Sequence, residues 1–144
     1  MSLVRPSMYS KLFMVLVFAA AVGACSDPPT SPSAVTQTDV IAGTGTEAVS
    51  GKVLTVNYTG WLYNPARPEG KGAQFDSSVG LTPFIFSLGQ GSVIAGWDTG
   101  LVGMRVGGVR RLVIPPSLGY GGFRNGSIPA NATLLFEVEL LEVQ

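Results

Sequence analysis

Alternation is the feature of this chain that most restricts its fold. Leu54, Val56, Tyr58 and Leu62 share one parity, with Thr55, Asn57 and Thr59 on the other. Phe84, Phe86 and Leu88 alternate with Ile85 and Ser87, and Leu112 and Ile114 with Arg111 and Val113. Leu134, Phe136, Val138 and Leu140 alternate with Leu135, Glu137 and Glu139. A repeat of two is that of a strand with one face buried and one in water, the pattern of antiparallel sheets. Ser92–Met104 departs from it. There Val93, Ile94, Trp97, Leu101 and Met104 follow the three-and-four spacing that predicts a helix. Gly96, Gly100 and Gly103 keep that helix short. One short helix on a curved antiparallel sheet is an α+β domain.

Two connections interrupt the pattern. Asn64–Gly72 contains two prolines and two glycines and reads as a loop, or a bulge in a strand region. Gly119–Ala132 is richer in turn formers and has no periodicity. A loop of that length in a compact domain is more often functional than idle.

Residue counts exclude several chemistries. None of the 144 residues is histidine, and only one is cysteine. Ser-His-Asp and Cys-His nucleophile systems are therefore excluded, as are zinc sites of His and Cys. No cofactor or metal is implied. Charged residues make up 12% of the chain and the formal net charge is zero. A nucleic-acid partner would require a clustered basic face, whereas the longest basic run is Arg110-Arg111, which reads as two solvated side chains on a strand.

The first residues read as an address. Arg5 and Lys11 precede an apolar run of ten residues, Leu12–Ala21. A membrane-spanning helix needs about 20, so the run has the length of a signal-peptide core. It ends in Val22-Gly23-Ala24-Cys25, which resembles a bacterial lipobox with Cys25 as the lipidated first residue of the mature protein. Removal of residues 1–24 would leave a net charge of −2. Residues 26–38 carry three prolines and many hydroxyls and read as a disordered tether. The expected organisation is a signal peptide over 1–24, a lipidated cysteine and tether over 25–38, and one domain over 39–144. The expected location is the bacterial cell envelope, anchored by lipid and facing the periplasm or exterior. Nothing in the chain suggests more than a monomer.

Five segments of the domain then combine into a resemblance. They are Val56-Asn57-Tyr58-Thr59-Gly60, Phe75-Asp76-Ser77-Ser78, Val93-Ile94-Ala95-Gly96-Trp97-Asp98, Gly103-Met104-Arg105-Val106-Gly107-Gly108 and Ile114-Pro115-Pro116-Ser117-Leu118-Gly119-Tyr120-Gly121. In order and type they resemble the FKBP-type peptidyl-prolyl cis-trans isomerases, across about residues 35–143. The resemblance implies a half-barrel antiparallel sheet of about five strands wrapped on one short helix. It implies a ligand pocket walled by Tyr58, Phe75, Asp76, Phe84, Val93, Ile94, Trp97, Tyr120, Ile128 and Phe136. Trp97 would be the floor, and the Ile94 N–H and Tyr120 hydroxyl would bond ligand carbonyls. The catalytic set would be Asp76, Tyr120, Trp97, Phe136 and Ile94, and the remaining five would bind substrate. Proline-containing polypeptides would be partners, and tacrolimus-type macrolides inhibitors. Between Asp76 and Phe84 the chain is one residue shorter than well-known eukaryotic members and lacks the arginine often found there.

Such a pocket suits a reaction without acid, base or metal. The planar peptide bond is held by partial double-bond character. Twisting an X–Pro bond removes that conjugation, and a dry apolar site favours the less polar twisted state. Asp76 has two roles open to it, orienting Tyr58 or polarising the twisting amide. The alternative function is a non-catalytic chaperone or polypeptide-binding lipoprotein using the same pocket.

Overall fold

A computed structural model describes residues 32–144. Residues 1–31, with Cys25, the signal segment and the first part of the tether, lie outside the described residues. Among the described residues, six strands and one α-helix follow in chain order: β1 (Thr36–Ile41), β2 (Val53–Tyr63), β3 (Lys71–Ser77), β4 (Phe84–Ser87), α1 (Ala95–Gly100), β5 (Val109–Ile114) and β6 (Leu134–Val143). They build one open, curved sheet in the order β1-β5-β6-β2-β3, with β4 also on β2. Every pairing is antiparallel. β2 is long enough to serve two neighbours on one side. Its first half pairs with β4 and its second half with β3.

The four alternating segments became β2, β4, β5 and β6. Their apolar faces meet α1 in one core, where Leu54, Val56, Leu112, Ile114, Val138 and Leu140 pack with Trp97 and Leu101. The helix lies close to the sheet because Gly96 has no side chain. A Cβ there would come within 2.5 Å of the Ile114 side chain, nearer than atoms tolerate.

Three readings change in the structure. First, β1 starts at Thr36, so three residues assigned to the tether belong to the sheet. All six β1 residues are exposed; an edge strand that buries no side chain carries no apolar alternation. Second, Leu135 is fully buried although its neighbours alternate. It sits in register between Trp61 of β2 and Val113 of β5, a small apolar patch on the outer face. Third, Arg110 is not solvated. It occupies the inward parity of β5 with Leu112 and Ile114 and is 6% exposed. Its Nε and Nη2 donate to the two Asp39 carboxylate oxygens at 2.6 and 3.2 Å. Its Nη1 donates to the Gly100 and Val102 carbonyls at 3.0 and 2.9 Å. A helix end leaves carbonyls without internal partners, and this guanidinium supplies a donor to the last carbonyl of α1, Gly100, and to Val102 just beyond it. Arg111, on the other face, reaches Glu137 and Glu69.

Candidate functional site

An aromatic cleft of about 190 Å³ opens between α1 and the sheet. Trp97 is its hub. The Trp97 ring meets Tyr58 at 5.2 Å and Phe136 at 5.3 Å, both near perpendicular, and Phe84 at 6.1 Å. Phe75 stands edge-on to Phe136 at 5.5 Å. Edge-to-face packing satisfies the ring quadrupoles without stacking the rings flat, so the rings stand as walls around a gap.

Local backbone features aim these side chains. Phe75 and Asp76 are consecutive, and in a regular strand they would point to opposite faces. Both line the cleft. The β2–β3 register explains it: Gly60 pairs with Asp76 and Trp61 with Gln74. Phe75 is the extra residue of a β-bulge, and bulges re-aim side chains. Gly60 makes room for the result. A Cβ on it would lie 2.7 Å from Phe75 and 2.8 Å from Phe136.

On the helix side, the Ile94 carbonyl accepts from the Trp97 N–H at 2.9 Å and starts α1. Asp98 anchors the approach. Its carboxylate accepts from the Gly89 and Gly91 N–H groups at 2.8 and 3.0 Å, which holds Ser92, Val93 and Ile94 at the cleft mouth. The Ile94 N–H takes part in none of the described hydrogen bonds. Opposite, Tyr120 follows the 3-10 turn Pro116–Leu118 and is half-buried. The Gly121 N–H donates to the Pro116 carbonyl at 2.8 Å, and the Gly121 carbonyl accepts from the Asn131 N–H at 2.8 Å. The Gly119 N–H also donates to the Pro116 carbonyl at 3.0 Å, so the loop is pinned on both sides of Tyr120.

Asp76 is committed to Tyr58. The tyrosine hydroxyl donates to Oδ2 at 2.6 Å, and the Ser77 N–H donates to Oδ1 at 2.9 Å. Burial, then the bond to Asp76 and its charge, push the Tyr58 hydroxyl well above its ordinary value. Tyr58 therefore stays protonated at neutral pH. No described ion pair joins Asp76 to an arginine.

The structure brings nine of the ten expected wall residues to one cleft: Tyr58, Phe75, Asp76, Phe84, Val93, Ile94, Trp97, Tyr120 and Phe136. Ile128 is not among them. It is 5% exposed within the core, and its N–H and carbonyl close a turn on Asn125. Ser92 lines the cleft without having been singled out. A lone serine before an apolar run gives no signal of its own.

A short helix beneath a curved antiparallel sheet, with an apolar cleft between them that offers a few peptide-bonding groups, defines a domain of the prolyl-isomerase class. The family model for FKBP-type peptidyl-prolyl cis-trans isomerases matches residues 44–141, and the chain belongs to that family. It is 51% identical over 107 residues to an FK506-binding protein of Neisseria meningitidis serogroup B, covering 73% of this chain and 92% of the relative. It is 47% identical over 131 residues to FK506-binding protein 2B of Rhizopus delemar; the match covers 89% of this chain and 60% of that relative's length. The solved structure of FkpA from Escherichia coli superimposes with a TM-score of 0.64 at 40% identity, covering 76% of this chain and 48% of that one.

Proposed function

We propose that this protein catalyses cis-trans rotation about X–Pro bonds of polypeptides outside the cytoplasm, as a monomeric lipoprotein of the bacterial envelope. The observation that carries the catalytic reading is the ring-walled cleft with the unbonded Ile94 N–H at its mouth. The proline ring enters between Tyr58, Trp97 and Phe136, and water is excluded. The Ile94 N–H and Tyr120 hydroxyl hold the flanking carbonyls. Asp76 acts through Tyr58, fixing its ring against Trp97 and Phe84. Rotation is slow unaided, at tens to hundreds of seconds. The site accelerates it by binding the twisted amide more tightly than the planar one.

The test is an isomerisation assay on a short X–Pro peptide, with and without a tacrolimus-type macrolide. Turnover that the macrolide abolishes is expected; absence of turnover would reject the reading. No proton moves in this mechanism, and the chain has no histidine. Hence kcat/KM is expected to stay within about twofold between about pH 6 and 8. A bell-shaped profile would instead reveal acid–base chemistry.

The envelope location rests on the apolar run Leu12–Ala21 and on Cys25 following Val22-Gly23-Ala24. Acyl chains hold a membrane at about 0.8 kcal/mol per buried CH₂. Cys25→Ser is expected to move the protein from the membrane to the soluble fraction on fractionation. A variant that stays wholly membrane-bound would exclude the lipid anchor.

A further inference from the structure

The connection from β3 to β4 carries apolar side chains that the fold does not use. Leu81 is 72% exposed, Val79 66% and, on β4, Ile85 61%. Among the large apolar residues described, only Phe123 is more exposed. Leu81 and Ile85 wall the same groove, whereas Val79 lines a separate depression, and exposed apolar surface gathered in one place marks a place of interaction. Beside them runs a groove of about 380 Å³, walled by Leu81, Pro83 and Ile85 on one side. Its other wall is the aromatic cleft itself, since Tyr58, Asp76 and Phe84 line both. Phe84 is the partition between them. It packs against Tyr58 and Trp97 and is 39% exposed.

We propose that this groove is an extended substrate subsite. It takes apolar side chains of the same polypeptide whose proline occupies the cleft, and so selects proline sites flanked by apolar residues. This rests on the isomerase reading above and names its substrate class. Continuity identifies the occupant: cleft and groove share Tyr58, Asp76 and Phe84 as walls, so a polypeptide that leaves the cleft past Phe84 enters the groove. Chemistry agrees. Asp76 is the one charged residue of the groove walls, and it is engaged by Tyr58 and the Ser77 N–H. The Ser77 and Ser78 hydroxyls are engaged with Thr59 and Asn57. Side chains of charged or strongly polar residues would find few partners there, while leucine or phenylalanine would cover Leu81 and Ile85.

The experiment uses two kinds of substrate sharing one X–Pro bond. One is a tetrapeptide that fills the cleft only. The other is a pair of octapeptides with leucine or serine two to three residues from the proline, placed on each side in turn. The parent protein is expected to turn over one leucine octapeptide roughly tenfold faster, in kcat/KM, than its serine counterpart. The double variant Leu81→Ser/Ile85→Ser is expected to erase that preference and leave the tetrapeptide rate unchanged. Both positions are exposed, so circular dichroism is expected to match the parent. Equal rates on leucine and serine octapeptides, or a preference that survives the double variant, overturns the subsite. A parent dimer that the double variant makes monomeric assigns the groove to a second copy and overturns it as well. A parent that fails on the tetrapeptide rejects the isomerase reading itself, and the subsite with it.

Discussion

Trp97→Ala is expected to lower kcat/KM on a short X–Pro peptide by about tenfold, and to cost the fold about 3–5 kcal/mol. The activity figure follows from the ring it supports. Proline carries three ring methylenes, each contributing about 0.8 kcal/mol when buried. A floor that covers one of the two ring faces accounts for roughly half of that, about 1.2 kcal/mol, which is near a factor of ten. The stability figure follows from position: Trp97 is 4% exposed and touches Tyr58, Phe84, Phe86 and Phe136. The loss has to be read on folded protein, at a temperature below the lowered melting point.

Trp97→Phe separates the two effects. The indole Nε1 is buried and, among the described residues, has no hydrogen-bond partner. Such a donor costs about 1–3 kcal/mol, and phenylalanine removes it while keeping an aromatic floor. Trp97→Phe is therefore expected to melt within a few degrees of the parent and to keep activity within about threefold. If it loses as much activity as Trp97→Ala, an apolar floor is not the whole role of this residue. If Trp97→Ala keeps full activity, the cleft is not the site.

What could be read from the chain, and what could not, follows from where each residue's contacts lie. The helix and the strands β2, β4, β5 and, past Leu135, β6 each bury one face, and burial of one face writes a period into sequence. β1 buries neither face and β3 buries little, so neither had a period to show. Nine of the ten expected wall residues line one cleft, because each lies on or beside an element whose position the motifs fix. Ile128 lies in the long loop, where the chain departs from regular structure, and its turn on Asn125 draws it into the core. The bulge at Phe75 could not be seen either. It is a property of the pairing between β2 and β3, and no single strand contains it. Asp98 was visible as part of a motif, but its grip on Gly89 and Gly91 depends on the loop folding back. Arg110 is a different case. Its parity with Leu112 and Ile114 is plain in the sequence, but a charged side chain next to Arg111 gives no sign of the carboxylate and carbonyls that make its burial possible.

Arg110→Ala is expected to cost about 2–4 kcal/mol and to lower the melting temperature by roughly 8–16 °C. The guanidinium joins three elements. It pairs bidentately with Asp39 of β1, caps the Gly100 and Val102 carbonyls after α1, and rises from β5. Removing it strips the donor from the buried Gly100 bond and weakens the hold on the edge strand. The larger part of the loss belongs to the carbonyls, because Asp39 keeps a side-chain exposure of 47% and water can solvate it. Asp39→Asn is accordingly expected to cost much less. Acid separates the two contributions further. The hydrogen bond from Arg110 holds the Asp39 carboxyl below its ordinary 3.8, against a smaller opposing effect of burial, with the guanidinium charge adding to the lowering. A group whose pKa is lowered by folding adds stability that is complete above its unfolded value and disappears as pH falls through the folded one. The melting temperature is therefore expected to drop on acidification below about pH 4, and Asp39→Asn to flatten part of that drop. The remainder belongs to Glu137 and Glu69, which Arg111 and Lys71 also hold low. Since Arg110 touches no wall of the cleft, folded Arg110→Ala is expected to isomerise X–Pro peptides within about threefold of the parent when assayed well below its melting point. A tenfold loss there would mean that the C-terminal end of α1 sets the position of Trp97 three residues before it. A melting temperature within about 2 °C of the parent would remove Arg110 from the account of what holds β1 and α1 to the sheet.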